Sequence, residues 1–185
     1  MSINCVLKGT NVSLSDGQKV IEKLKVKENL VSYTVDCLPP TQDERLLGIN
    51  RITNFNGLFS NEQVKNIWKN TKDIHLLIND RLGITMEHFI FCKRGLEYFW
   101  TRAENLEIGD ELFTINNTFE SISSIDIIKE KVDVYNIQVN KVYSYFANGY
   151  LVHNGAPCTA CAACGTGSGS GSGSGGGKGG GGGFV

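Results

Sequence analysis

Short segments rich in β-branched and aromatic residues follow one another along most of this chain, and they leave few fold classes open. In several of these segments apolar and polar side chains alternate, and turn residues separate one segment from the next at short intervals. The segments are VSYTVD, DIHLLIND, ITMEHFIFC, ELFTI, SISSIDII, VDVYNIQV and YSYFANGYLV. Because this patterning is typical of antiparallel sheets, we expect an all-β domain.

One helix is predicted within this pattern, at residues 60–70 (SNEQVKNIWKN). Ser60 is a suitable N-cap, since its side chain can accept a hydrogen bond from a backbone N–H of the first turn. Val64, Ile67 and Trp68 follow at helical spacing. We therefore expect one short helix in an otherwise β-structured chain.

A sharp change in composition after Asn154 divides the chain. Residues 155–185 contain most of the 22 glycines, first alternating with serine and then as poly-Gly. This composition is typical of a flexible coil and cannot build a core. We expect a short N-terminal flank at residues 1–4, a folded domain at 5–154 and a disordered Cys/Gly/Ser-rich tail at 155–185.

The charge and hydropathy of the chain argue against several kinds of partner. The formal net charge is −1 at pH 7, so nothing favours nucleic acid or an anionic membrane. No apolar run approaches the roughly 18–20 residues that a membrane span needs. The N-terminus has no basic-then-apolar signal region, and the scattered Cys5, Cys37 and Cys92 form no disulfide framework. We expect a monomer in the cytoplasm.

A weak internal repeat relates two parts of the folded region. LKVKENLVSY, beginning at Leu24, aligns without a gap to LEIGDELFTI, beginning at Leu106. The spacing is too long for a solenoid repeat. Two related β halves folded on each other is the natural interpretation, and chance similarity over ten residues is the alternative.

Four features stand where chemistry could occur. Each alone has a structural explanation: a single cysteine is usually inert, and a Thr and a His three apart on an ideal strand point to opposite faces unless a bulge or bend intervenes. Asn-Gly is also a common turn dipeptide. The features are Cys5 at the start of the domain, Thr85-x-x-His88 in its middle, Asn136 in VYNIQV, and His153-Asn154 at its end.

Taken together, these features resemble the Hint superfamily, which comprises inteins, bacterial intein-like domains and hedgehog autoprocessing domains. The matching segments are CVLKGTNVSLSDGQKVIEKLKV from Cys5, GITMEHFIFCKRGLEYFWTRAENLEIGDEL from Gly83, and VDVYNIQVNKVYSYFANGYLVHN from Val132. The resemblance is greatest to bacterial intein-like domains and to mini-inteins without an endonuclease. It implies a horseshoe of two pseudo-symmetric β halves whose ends meet at the centre.

The resemblance implies chemistry at the upstream end of the domain. The Cys5 thiol would attack the carbonyl of Asn4 and shift the acyl chain from nitrogen to sulfur. His88 would protonate the departing amide nitrogen, and Thr85 would hold the scissile carbonyl or orient the peptide. Hydrolysis of the thioester would release residues 1–4.

A second reaction is implied at the downstream end. The Asn154 side chain would attack its own backbone carbonyl, form a succinimide and break the bond to Gly155. His153 would polarise the carbonyl or protonate the leaving amine. The chain is thus expected to be a single-turnover, self-cleaving protein that needs no cofactor and acts on its own flanking segments.

Three positions depart from the family pattern. Gly155 has no nucleophile, whereas splicing normally needs Cys, Ser or Thr directly after the final Asn. Asn136 occupies the place of an Asp in many inteins and cannot act as a base. Tyr143, or its neighbour Ser144, falls where many inteins carry His. Separate cleavages are therefore expected in place of normal splicing.

Other interpretations stay open. One is low-yield splicing, and another is an inactive scaffold that displays the Gly-rich tail as a structural or adhesive element. Transfer to a sterol, as in hedgehog domains, lacks a sterol-binding region and the His-Asn ending. The tail cysteines have metal-like spacing but lack a fourth ligand, so we expect thiols or disulfides in place of a metal site; they are Cys158, Cys161 and Cys164.

Overall fold

The structure, a computed structural model, describes residues 4–38 and 40–154. The tail at 155–185, with Gly155, Cys158, Cys161 and Cys164, lies outside these residues. The predicted domain limits at 5 and 154 therefore stay predictions. Among the described residues, no helix is long and apolar enough to cross a membrane.

The described residues form an antiparallel β-structure. Its strands are β1 Val6–Leu7, β2 Asn11–Leu14, β3 Gly17–Val20, β4 Asn29–Val35, β5 Arg51–Ile52, β6 Gly57–Lys72, β7 His75–Ile78, β8 Leu82–Ile84, β9 Phe89–Arg94, β10 Glu97–Arg102, β11 Glu111–Phe113, β12 Phe119–Ser121, β13 Ile125–Ile128, β14 Val132–Val139, β15 Ser144–Ala147 and β16 Tyr150–His153. The α-helix α1 spans Glu44–Leu47, and 3₁₀ turns lie at Ile21–Lys23 and Ala103–Asn105. The predicted all-β class is confirmed.

The strands pair in the order β12-β11-β9-β16-β15-β2-β4-β6-β14-β1-β8-β7-β13. The segment VDVYNIQV coincides with β14. The last predicted segment is divided into β15 and β16 by a turn at Asn148 and Gly149, whose φ angles are 45° and 85°. Asn-Gly suits such a turn, because both residues tolerate the left-handed conformation that a tight hairpin requires.

The helix predicted at residues 60–70 is wrong, because this segment lies inside the 16-residue strand β6. The first part of β6 pairs with β4, and the second part pairs with β14. Pairing along nearly its whole length, with a bulge opposite Gln138 and Val139, satisfies most of the backbone, and this tertiary arrangement overrides a weak helical pattern. The one short helix of the described residues is instead α1, which Asp43 caps by accepting from the Arg45 N–H at 3.1 Å.

The internal repeat corresponds to two similar substructures. A 3₁₀ turn precedes each copy, at Ile21–Lys23 and at Ala103–Asn105. Each copy then contains a residue with positive φ at the same position of the alignment, Lys27 at 77° and Gly109 at 93°. This agreement of backbone conformation supports two pseudo-symmetric halves over chance similarity.

An acidic side chain closes the same turn in each half. Glu28 accepts from the backbone N–H of Lys25 at 2.7 Å, and Asp110 accepts from that of Glu107 at 2.8 Å. Asp110 also binds Arg94 through both carboxylate oxygens at 2.7 Å. Burial acts to raise the pKa of Asp110, but these contacts outweigh it and lower the pKa. The second copy is therefore held by a buried charged contact.

The connection between β4 and β6, residues 36–56, is here called the strap. Strands β4 and β6 are paired up to the two ends of the strap, since Val35 pairs with Gly57 and the Asp36 N–H donates to Asn56 O at 2.9 Å. Leu38 and Leu47 of the strap are buried in an aromatic cluster; its other buried members are Tyr33, Val35, Phe89, Phe91, Trp100, Phe113, Phe146 and Leu151. Apolar burial thus fixes the strap on the body of the domain.

Candidate active site

Two hydrogen bonds join the entrance of the domain to Thr85. The Cys5 N–H donates to Thr85 Oγ1 at 3.0 Å, and the Thr85 N–H donates to Cys5 O at 3.0 Å. Both residues are fully buried. The Thr85 hydroxyl therefore lies at the nitrogen of the Asn4–Cys5 bond, and it orients this peptide from the nitrogen side.

Thr85 and His88 lie in a turn, and the prediction that TMEH is on a strand is wrong. Strand β8 ends at Ile84, β9 begins at Phe89, and the His88 N–H donates to Thr85 O at 3.1 Å. The turn supplies the bend that an ideal strand lacks. It also connects two strands with different neighbours, because β8 pairs with β1 and β9 pairs with β16. Residues at the two ends of the domain thus approach the turn from its two sides.

The His88 ring is fully buried between these ends. Burial lowers its pKa to about 4, and the nearby backbone of His153 and of Cys5 partly opposes this shift. Among residues 4–38 and 40–154, neither ring nitrogen has a partner at hydrogen-bond geometry. His88 is therefore neutral at pH 7 and lies close to both junctions of the domain.

Asn154 follows β16 and is fully buried. Its N–H donates to the carbonyl of Tyr143 at 2.9 Å. Its side-chain oxygen and nitrogen have no hydrogen-bond partner within the described part of the chain. The backbone of Asn154 is thus held in place, and its side-chain amide is not committed to another described group.

A carbonyl of the strap fixes the ring of His153. His153 Nε2 lies 2.8 Å from Thr41 O, and the ring packs edge-on against Trp100 with centroids 5.4 Å apart. A carbonyl only accepts, so Nε2 carries the proton and Nδ1 is unprotonated in the neutral ring. Burial lowers the pKa of His153 to about 3, and the backbone of Thr41 and of Asn154 opposes this shift.

The supporting residues Asn136 and Tyr143 lie at the same site. Val6 pairs with Tyr135, so continuing this antiparallel register places Cys5 opposite Asn136. Asn136 is buried, and its Oδ1 has no described partner. The Tyr143 ring lies 6.4 Å from that of His153. Every predicted site residue in the described part of the chain therefore lies at this centre.

Solved structures share this architecture. The chain covers all of a bacterial intein-like domain from Clostridium thermocellum, with 83% of the chain aligned, a TM-score of 0.62 and 20% identity. The chain has the Hint fold. It also matches a DnaB intein from Synechocystis sp. PCC 6803 over 83% of the chain and 100% of that intein, with a TM-score of 0.58 and 15% identity. The chain also matches the TvoVMA intein over 82% of the chain and 98% of that intein, with a TM-score of 0.62 and 18% identity. No family model and no curated protein matches the sequence.

Several neighbours of this Hint centre could not be identified from the sequence. Thr41 acts through its main chain, which carries no residue signature. Trp100 and Glu44 approach from other elements. Tyr145 is fully buried; burial and the nearby Cys5 raise the pKa of its phenol, whose oxygen has no described partner. A tyrosine in a strand is usually core, so nothing in the pattern distinguishes it.

The two histidines of this centre, His88 and His153, predict how stability depends on pH. Their folded-state pKa values lie below the ordinary 6.5, so the unfolded chain binds more protons as the pH falls. The stability that their neutral forms contribute is fully present above pH 6.5. It is lost as the pH falls toward about 4 for His88 and about 3 for His153. Each histidine should reduce the free energy of unfolding by about 1.4 kcal/mol per pH unit in this window.

Urea unfolding between pH 7.5 and 5.0 measures this effect, with Asn154→Ala as the background that keeps residues 155–185 attached. His88→Gln should flatten the pH slope by one proton. His75→Gln tests a histidine outside this centre. Burial also lowers the pKa of His75, which lies on β7, so this variant should flatten the slope as well and leave the share of His88 and His153 in place. Stability that is constant or rises as the pH falls to 5.0 would contradict the assignment of both rings as neutral.

Proposed function

We propose that this chain processes its own backbone, with cleavage at Asn154–Gly155 and an N–S acyl shift at Cys5. The observation that carries the proposal is the turn of Thr85 and His88, because the strands on its two sides pair with the strand that follows Cys5 and with the strand that precedes Asn154. A domain that only displayed a tail would not need its two ends at one buried centre. The likeness to inteins supports the same reaction class.

At the upstream junction, Cys5 Sγ attacks the carbonyl carbon of Asn4, and the bond from that carbon to the Cys5 nitrogen breaks. The thiol proton passes through His88 to the departing nitrogen. A neutral imidazole can accept this proton and then return it, so the lowered pKa of His88 suits the sequence of transfers. Thr85 holds the nitrogen that must be protonated. Water then cleaves the thioester and releases residues 1–4.

At the downstream junction, Asn154 Nδ2 attacks its own carbonyl carbon, and the bond to the Gly155 nitrogen breaks. A proton from Nδ2 moves to the leaving amine, and the unprotonated Nδ1 of His153 can relay it. The hydrogen bond to Thr41 holds this tautomer. Because the reacting groups belong to one residue, little orientational entropy is lost at this step.

Splicing is not the proposed outcome, because Gly155 has no side chain that can accept the acyl group from Cys5. The two cleavages then proceed separately and each junction is cut once. The proposed reaction requires no partner beyond the flanking segments of the chain.

A non-processing scaffold that displays residues 155–185 is the second candidate. Asn136 favours it, since an amide opposite Cys5 cannot take up a proton as a carboxylate would. The two candidates differ in what happens to the covalent chain.

Mass spectrometry of freshly purified protein during incubation at pH 7.5, with and without dithiothreitol, tests the proposal. We expect loss of residues 155–185 without thiol and accelerated loss of residues 1–4 with it. Deamidation of an Asn-Gly site would instead leave the chain at full length. A chain that stays intact through prolonged incubation with thiol would refute self-processing and favour the scaffold.

A further inference from the structure

The strap is longer than its connection requires. Val35 and Gly57 are already paired, and the next backbone contact, Asp36 to Asn56, keeps the ladder closed. A two-residue hairpin turn could join strands in this arrangement. Two residues of the longer strap instead reach the Hint centre, where Thr41 contacts His153 and Glu44 contacts Asn4.

At the upstream junction, the strap contacts the residue before Cys5. Asn4 is buried, and its Nδ2 donates to Oε1 of Glu44, the first residue of α1. Asn4 Oδ1 has no partner among the described residues. Glu44 thus makes the hydrogen bond that anchors this side chain.

The anchored residue carries the carbonyl that Cys5 would attack. The Asn4 side chain and its carbonyl carbon are both bonded to the same Cα. Holding the side chain therefore limits rotation of the carbonyl relative to the Cys5 thiol. Small displacements of reacting atoms cost large factors in rate, up to about a hundredfold for 1 Å.

The arginines near Glu44 do not occupy its carboxylate. It borders a groove of about 480 Å³ that also contains Arg51, Arg94 and Arg102. Each arginine is paired with a different carboxylate; the pairs are Arg51–Glu97, Arg94–Asp110 and Arg102–Glu104. The Glu44 carboxylate remains available to a side chain that donates a hydrogen bond.

We propose that Glu44 is a positioning residue that determines which residue is accepted at position 4. This inference rests on the proposed acyl shift at Cys5. A carboxylate accepts hydrogen bonds and cannot donate, so Glu44 favours Asn, Gln or a basic residue before the scissile bond. An acidic residue would place its carboxylate against that of the half-buried Glu44 and be rejected by charge repulsion.

The test compares the original chain with Asn4→Asp, Glu44→Gln and the double variant. Dithiothreitol-induced release of residues 1–4 is followed by mass spectrometry. Asn4→Asp has nearly the same shape as Asn, so we expect release to slow by about tenfold or more from charge repulsion. Adding Glu44→Gln should bring the rate back to within about threefold of the original, because Gln can donate to Asp.

Glu97→Gln is the matched control. It removes a carboxylate that contacts Arg51 of the strap but does not contact Asn4. It should leave the slow release of Asn4→Asp unchanged. Unfolding midpoints of all variants show whether a rate change reflects loss of folding.

The outcomes separate this inference from the function on which it rests. No thiol-induced release from the original chain refutes the acyl shift and the selection by Glu44 with it. Normal release from the original chain, with no rescue of Asn4→Asp by Glu44→Gln, refutes only the selection. Equal rescue by Glu97→Gln would show that general charge near the strap, and not Glu44, determines the preference.

Discussion

Asn154→Ala should abolish release of residues 155–185 while leaving thiol-induced release of residues 1–4 in place. The substitution removes the attacking nitrogen and breaks no hydrogen bond of the side chain, since the Asn154 side chain has no hydrogen-bond partner among residues 4–38 and 40–154. The backbone N–H that donates to Tyr143 O is kept. We expect the rate of tail release to fall by at least about a thousandfold, as it does when a reacting group is removed.

Asn56→Ala is the matched control, because Asn56 also precedes a glycine but lies exposed in the strap. It should release the tail at the original rate. Asn154→Asp is also informative, since a carboxylate has no nitrogen to attack with and should block release equally. Time courses by intact-mass analysis measure all three variants. Release of the tail from Asn154→Ala at the original rate would identify the cut as proteolysis by another agent.

Much of the fold could be predicted from the sequence because alternation and turn residues are local signals. VDVYNIQV coincides with β14, and Asn148-Gly149 forms the turn between β15 and β16. The failure was residues 60–70, where Val64, Ile67 and Trp68 have the spacing of one face of a helix. Their pairing with β4 and β14 decides the conformation, and those partners are distant in sequence.

The structure brings the proposed site residues together, but the geometry of their contacts could not be predicted from the sequence. Thr85 and His88 were expected to need a bend, and the bend is a turn between β8 and β9. No pattern in the sequence indicated the contacts that the strap makes with the site. Thr41 acts through a carbonyl that every residue has, and Glu44 meets Asn4 only after the strap has packed on the aromatic cluster.

The order of the strands explains how one turn can reach both of the proposed reaction sites. Strand β1, which follows Cys5, pairs with β8, and β16, which precedes Asn154, pairs with β9. The turn that joins β8 to β9 therefore contacts both ends of the domain. Folding brings the two junctions together, so the reactions proposed at Cys5 and Asn154 depend on an intact sheet.

Cys5→Ala should abolish thiol-induced release of residues 1–4 and leave release of the tail active. The substitution removes the only atom that can accept the acyl chain at this junction, while the hydrogen bonds between the backbone of residue 5 and Thr85 remain available. We expect at least about a thousandfold loss of upstream release. Tail release should persist, because the atoms that react at Asn154 belong to that residue alone.

Cys92→Ala is the matched control, because Cys92 is also a fully buried cysteine. It lies on β9, and burial raises the pKa of its thiol, so it should not form a thiolate at neutral pH. Its replacement should change neither release, although the cavity lowers stability. Hydroxylamine, which cleaves thioesters, should release residues 1–4 from the Cys92→Ala chain and not from Cys5→Ala. Equal release from both variants would mean that no thioester forms at Cys5, and the upstream reaction would then have to be abandoned while the cleavage at Asn154 stood on its own test.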